Sequence, residues 1–255
     1  MKKSKSWQLV NLGRSVILKI YFSKHILTTG IFFAVTVFAA GVFASDIEAR
    51  FKGKEHLSYS ISFNGIPSGN INWGYLGKET LFGHQADVLT VSSDTKILEL
   101  LNLTSKETVF IDSQTHLPLK VERNVVLFGK KESISEIYDQ DKGTVRITRR
   151  NSEVKEDILQ QDKPIQNILS LLYFFPQNQP LKKGKWMVFN LPTQVIKIKF
   201  VKERLLDTGS KKEETYFLIG RGAKWFNLWL DKKTRLPVRL EFILPVGKII
   251  IKRIN

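Results

Sequence analysis

The stretch "WLDKKTRLPVRLE", Trp229 to Glu241, is echoed by "FIDSQTHLPLKVE", Phe110 to Glu122. The two align without a gap: Asp112 matches Asp231, Thr115 matches Thr234, Leu117 matches Leu236, Pro118 matches Pro237 and Glu122 matches Glu241. In each copy a strand is expected to end at the aromatic-aliphatic pair. The Asp and Thr then satisfy local backbone groups in the reversal, and proline opens the next strand, where its missing N–H costs least. One hairpin is therefore predicted twice. The competing reading makes Asp112 and Asp231 a catalytic pair. Paired acids need a shared, desolvated site that separates their pKa values, and these two lie in polar turns.

Short runs around the echo alternate apolar and polar residues, the period of strands with one buried face. In "INWGYLG" Ile71, Trp73 and Tyr75 share a face; in "VIKIKFV" Ile196, Ile198 and Phe200 point one way and Lys197 and Lys199 the other. Turn signals such as "NGIPSGN" (Asn64 to Asn70), "DQDKGT" and "DTGSKKE" separate roughly a dozen such runs at the spacing of sandwiches and barrels. Two segments read differently. "DKPIQNILSLLYFFP" predicts a helix capped by Asp162, with Pro164 in its first turn and Ile165, Ile168, Leu169 and Leu172 on one face, ended by Pro176. Asp94 to Leu103 suggests a second helical turn. The expected fold is mainly β: a curled antiparallel sheet, half-barrel or open barrel, with one or two short helices as a plug.

The first 44 residues read as a targeting segment. Six lysines and arginines and no acid precede an apolar run, Ile31 to Phe43, of the length of a signal h-region, and Val42 and Ala44 supply small residues for cleavage before Ser45. The alternative is a retained membrane anchor over residues 26–44. Either way residues 45–255 are expected outside the cytoplasm as a single antiparallel β domain with two similar half-sheets. That part keeps an excess of basic over acidic residues. An exported chain has little opportunity to meet nucleic acid, so the expected partner of this charge is an anionic envelope surface. With no cysteine in the chain, disulfides and N-terminal lipidation are excluded.

Chemistry is sparsely signalled. The sequence holds no G-x-S-x-G, H-E-x-x-H, P-loop or dinucleotide fingerprint. His25, His56, His84 and His116 are scattered, and turn geometry accounts for Ser68. No catalytic residue, metal site or cofactor is expected. In "KWFNLWL", Trp225, Asn227 and Trp229 share one face and Phe226, Leu228 and Leu230 the other. A strand apolar on both faces lies between two layers or lines a cavity. On the cavity reading Trp225 and Trp229, with Ile168 and Leu172 of the helix, line an acyl-sized pocket.

The order of "SYSISFNGIPSGNINW", "IQNILSLLYFFP", "PLKKGKW" and "WLDKKTRLPVRLEFILPVGKI" resembles the bacterial family called domain of unknown function 3108. The resemblance runs from Leu57 to Ile254; its most specific pieces are the "NGIPSG" turn and the final W-L-D-x-x-T-x-L-P hairpin with its glycine turn at Gly247. It implies an exported, mostly β envelope protein without an assigned activity, and it carries over no catalytic residue. The architecture also looks like periplasmic lipoprotein carriers, a likeness of fold alone. The expected function is non-enzymatic binding of a lipid or lipoprotein acyl chain within the curled sheet. The alternative is an envelope scaffold with a packed interior that docks a protein partner.

Overall fold

A computed structural model describes residues 56–97, 101–172, 180–208 and 211–254. The proposed export signal or anchor, residues 1–44, lies outside these residues. Among the described residues no helix is long and apolar enough to cross a membrane.

Among the described residues fourteen strands follow one another: β1 (His56–Phe63), β2 (Ile66–Leu81), β3 (His84–Ile97), β4 (Leu101–Asp112), β5 (Pro118–Leu127), β6 (Lys130–Asp139), β7 (Thr144–Arg150), β8 (Val154–Gln160), β9 (Trp186–Leu191), β10 (Gln194–Asp207), β11 (Lys212–Arg221), β12 (Trp225–Asp231), β13 (Pro237–Leu244) and β14 (Gly247–Arg253). They form one antiparallel sheet in the order β8-β7-β6-β5-β4-β3-β2-β1-β14-β13-β12-β11-β10-β9. Every adjacent pair is a hairpin except β1 with β14, where Tyr59 faces Arg253 and Phe63 faces Ile249. The meander thus starts and finishes in the middle of the sheet, and its edges are β8 and β9.

A sheet of this width with one apolar face has to curl over itself to bury that face. Bulges at Ile61/Ser62, Tyr75/Gly77, Phe110/Ile111, Phe200/Lys202 and Trp229/Leu230 add local twist. The concave face carries a single connected core, running from Ile61 and Trp73 through Val109 and Ile147 on one wing to Ile198, Leu228 and Phe242 on the other. No ladder joins β8 to β9, so the curled sheet is open along that seam.

Both copies of the echoed corner are built from the same bonds. Oδ1 of Asp112 accepts from the amides of Gln114 and Thr115 and from the Thr115 hydroxyl; Oδ1 of Asp231 accepts from the amides of Lys233 and Thr234 and from the Thr234 hydroxyl. His116 and Arg235 occupy the left-handed region at φ 61° and 58°, and each follows its Thr by one residue. Each corner also ties to the preceding hairpin, Ser113 N donating to Gln85 O and Lys232 N to Glu214 O, both at 2.9 Å.

The two pieces most specific to the family resemblance touch. Asn64 and Gly65 turn with positive φ between β1 and β2, and the Asn64 side chain accepts from Lys248 N at 2.8 Å. Gly247, at φ 147°, leaves room for that side chain, which a Cβ there would strike.

Two predicted helices need correction. The β8–β9 connection is helical over 168–172, not from Asp162. Ile165 is taken up in a bridge to Asn190 of β9, and the cap is Asn167, whose Oδ1 accepts from Leu169 N at 2.6 Å. Residues 173–176 of the predicted helix lie outside the described residues. Asp94 to Leu103 forms no helical turn among its described residues: Asp94 to Ile97 ends β3, Leu101 to Leu103 opens β4, and Ile97 pairs with Leu101. Cross-strand pairing there outweighs the helical preference of a leucine-rich run.

Candidate functional site on the concave face

The seam between β8 and β9 is spanned by the chain that links them. Gln161 Nε2 donates to Pro192 O, Asn190 Nδ2 to Asp162 O, and Gln166 N to Asn190 O at 2.7 Å. Gln140 grips both sides of the Ile165 peptide unit, accepting from its N–H at 3.0 Å and donating to its carbonyl at 2.8 Å. This tether delivers helix 168–172 to the concave face, where Ile168, Leu169, Leu171 and Leu172 are all buried in the core. Each such side chain contributes about 1.5–3 kcal/mol through burial. Ile168 and Leu172, expected as pocket lining, lie on this concave side.

Trp225 and Trp229 are placed elsewhere. Phe226, Leu228 and Leu230 of β12 join the concave core, so the alternate parity points outward. Trp225 is 49% exposed on the convex side. Trp229 is buried there, stacked obliquely on Phe217 at 4.9 Å beneath the Arg239 guanidinium. The four residues proposed as one pocket lining therefore divide between the two faces. A strand apolar on both sides gives no sign of which parity faces in; pairing of Leu228 with Leu218 of β11 decides it.

Charges missed by the sequence reading lie inside. Glu107 is opposite Arg123 on β4 and β5, in phase with Val109 and Val121. Arg123 Nε donates to Glu107 Oε2 at 2.5 Å, its Nη1 is 3.6 Å from Glu136 Oε1, and Tyr138 donates to Glu136 Oε2 at 2.6 Å. Burial pushes the Glu107 carboxyl above its usual range against the pull of Arg123. For Arg123 the penalty of burial is outweighed by Glu107 and Glu136, which keep it protonated. Burial, then the Glu136 charge, raises the Tyr138 phenol well above its ordinary value. Asn167, the helix cap, interacts with Glu107 and Tyr138 and so links plug to wall. The available signal was a charge of each sign in the apolar parity of neighbouring strands.

Among the described residues three buried polar atoms on this face make no hydrogen bond: Trp73 Nε1, a donor, Thr95 Oγ1, and Glu107 Oε1, an acceptor on the carboxyl that Asn167 also approaches. Trp73 and Glu107 lie in one cross-strand row with Val91 between them. Buried polar atoms are ordinarily satisfied, so these three are exceptions on the concave wall. Among the described residues no three His, Asp or Glu side chains converge as a metal site requires.

These features define an open, barrel-like antiparallel β protein with an apolar concave face and a helical plug at its seam. A solved structure of the same kind is a beta-barrel-like protein of domain of unknown function DUF1849 from Brucella abortus. It is 8% identical, with a TM-score of 0.53 over 79% of this chain and 96% of that one. The likeness is one of fold. No family model and no curated protein matches the chain.

Proposed function

We propose that this is an exported, non-enzymatic protein of the bacterial cell envelope, of the kind gathered in domain of unknown function family 3108. In this reading it binds a lipid or lipoprotein acyl chain on its concave face. The observation that carries the reading is the seam: fourteen strands curl without closing, and an apolar plug stands where the last ladder would be. Exchanging the plug's contacts for an acyl chain preserves hydrocarbon burial at about 0.8 kcal/mol per methylene and breaks no strand pairing. Trp73 Nε1 offers a donor, and Thr95 Oγ1 and the Glu107 carboxyl offer acceptors, to a hydroxyl, ester or protonated carboxyl at the head of the chain, the last in competition with Asn167. Native mass spectrometry of protein purified from its own envelope tests this. A lipid-sized adduct released by denaturation is expected, and a bare mass with no extractable lipid would overturn the reading.

A second reading, an envelope scaffold with a filled interior, is favoured by aromatic packing on the concave face. Phe226 lies 5.9 Å from Phe242, and Tyr59 lies 6.4 Å from Trp73. It requires the bare mass in the same experiment and a protein neighbour captured by crosslinking in cells.

A further inference from the structure

The convex face of β9 to β12 carries a patch that the concave site does not use. Met187 and Phe189 of β9 pack against the core, so Trp186 and Val188 face outward. Two cross-strand rows result. One runs Val188, Lys197, Arg221, Trp225; the other runs Trp186, Lys199, Ile219, Asn227. Trp186 and Val188 are 37% and 56% exposed, yet the Trp186 ring meets that of Trp225 edge-on at 6.5 Å. Lys199 Nζ sits 4.8 Å above the Trp186 ring, and the Arg221 guanidinium 5.3 Å from that of Trp225.

Among the described residues none of Lys197, Lys199 or Arg221 is paired with a carboxylate, and nearby acids are already engaged. Glu241, opposite Asn227, is buried against Arg239 at 2.5 Å. Glu203, further along β10, holds Lys232 at 2.6 Å. Lys182, Lys183 and Lys185 precede Trp186 and add positive charge. Water alone gives no reason to expose two indoles and a valine among unneutralised cations. An anionic bilayer surface does: indoles settle at the headgroup level, aliphatic stems of Lys and Arg lie along the apolar boundary, and their charges reach phosphate. An acidic protein would match the charge without requiring the exposed valine.

We infer that this convex patch docks the protein on a bilayer bearing anionic headgroups, independently of what the concave face holds. The full chain is mixed with vesicles of phosphatidylcholine, with or without phosphatidylglycerol, some carrying brominated acyl chains. The wild type partitions to the phosphatidylglycerol vesicles more strongly, and less so as salt rises. Lys197→Glu/Lys199→Glu and Trp186→Ala/Trp225→Ala each weaken that partitioning by about tenfold or more. Trp186→Phe/Trp225→Phe retains binding and loses most of the bromine quenching. Because the wild type and variants share the same N-terminal segment, the difference between them reports the patch. All variants are compared with unchanged circular dichroism, and native mass spectrometry of the same samples reads concave occupancy separately. Equal partitioning of wild type and both variants would overturn the inference. So would competition by a soluble acidic polysaccharide without any tryptophan quenching, which would assign the patch to that polymer.

Discussion

Asp112 and Asp231 hold the same position in two copies of one corner, each accepting two amides and a threonine hydroxyl through Oδ1. They differ in setting. Asp112 is buried and its second oxygen accepts His84 at 2.8 Å, whereas Asp231 is partly exposed. Asp112→Ala should therefore cost about 2–3 kcal/mol and Asp231→Ala about 1 kcal/mol in urea unfolding. Neither should alter lipid retention in protein that remains folded, as expected of corner-forming residues.

The acid limb of stability should report Asp112. Partial burial raises its carboxyl, but the Thr115 and Gln114 amides, the Thr115 hydroxyl and His84 together bring it below its usual 3.8. A depressed folded-state value means that the native form sheds this proton more readily than the unfolded form. The resulting stability is present above the unfolded pKa and is lost as pH falls through the folded one. Asp112→Asn should flatten the decline below about pH 4, measured as urea midpoints from pH 2 to 6.

Arg123 neutralises two buried acids. Arg123→Leu should cost about 3–5 kcal/mol, because Glu107 and Glu136 are left without their cation, while Arg123→Leu/Glu107→Leu/Glu136→Leu should recover much of the loss. The single variant should also show a distinct pH response. Burial already raises Glu107, and removing Arg123 raises it further, so the native form holds the proton more tightly than the unfolded chain. Its stability should fall as pH rises from the unfolded value toward the folded one. Urea midpoints for the single variant should therefore be lower at pH 8 than at pH 5.

Gly220 has no room for a side chain. A Cβ there would overlap the Phe226 ring, which lies across the bare backbone from the neighbouring strand. Gly220→Ala should cost about 1–3 kcal/mol, and Gly220→Ala/Phe226→Leu less than the two single losses combined, since the smaller side chain relieves the overlap. A double-mutant cycle in thermal unfolding measures the coupling.

The sheet was legible because its information is local. Ile71, Trp73 and Tyr75, or Ile196, Ile198 and Phe200, alternate whatever strand lies beside them, and each D-x-x-T-x-L-P carries its own hydrogen bonds. The inward side of β12 was not legible, because "KWFNLWL" is apolar in both parities and only its pairing with β11 and β13 chooses. The helix start is not legible because Asp162 and Asn167 are both capable caps, and capture of Ile165 by β9 is a distant contact. The Arg123 cluster is hidden for a similar reason: its acids come from β4 and β6, and neither is near it in sequence.

Trp73 gives the most direct test of the concave site, since among the described residues it is the tryptophan in the concave core. A variant with Trp7, Trp186, Trp225 and Trp229 changed to Phe leaves it as the sole indole. Titration with a brominated fatty acid should quench its emission to saturation at one ligand per chain, with Leu169→Asp weakening the effect. Unchanged Trp73 emission in folded protein at saturating ligand would contradict acyl binding on the concave face.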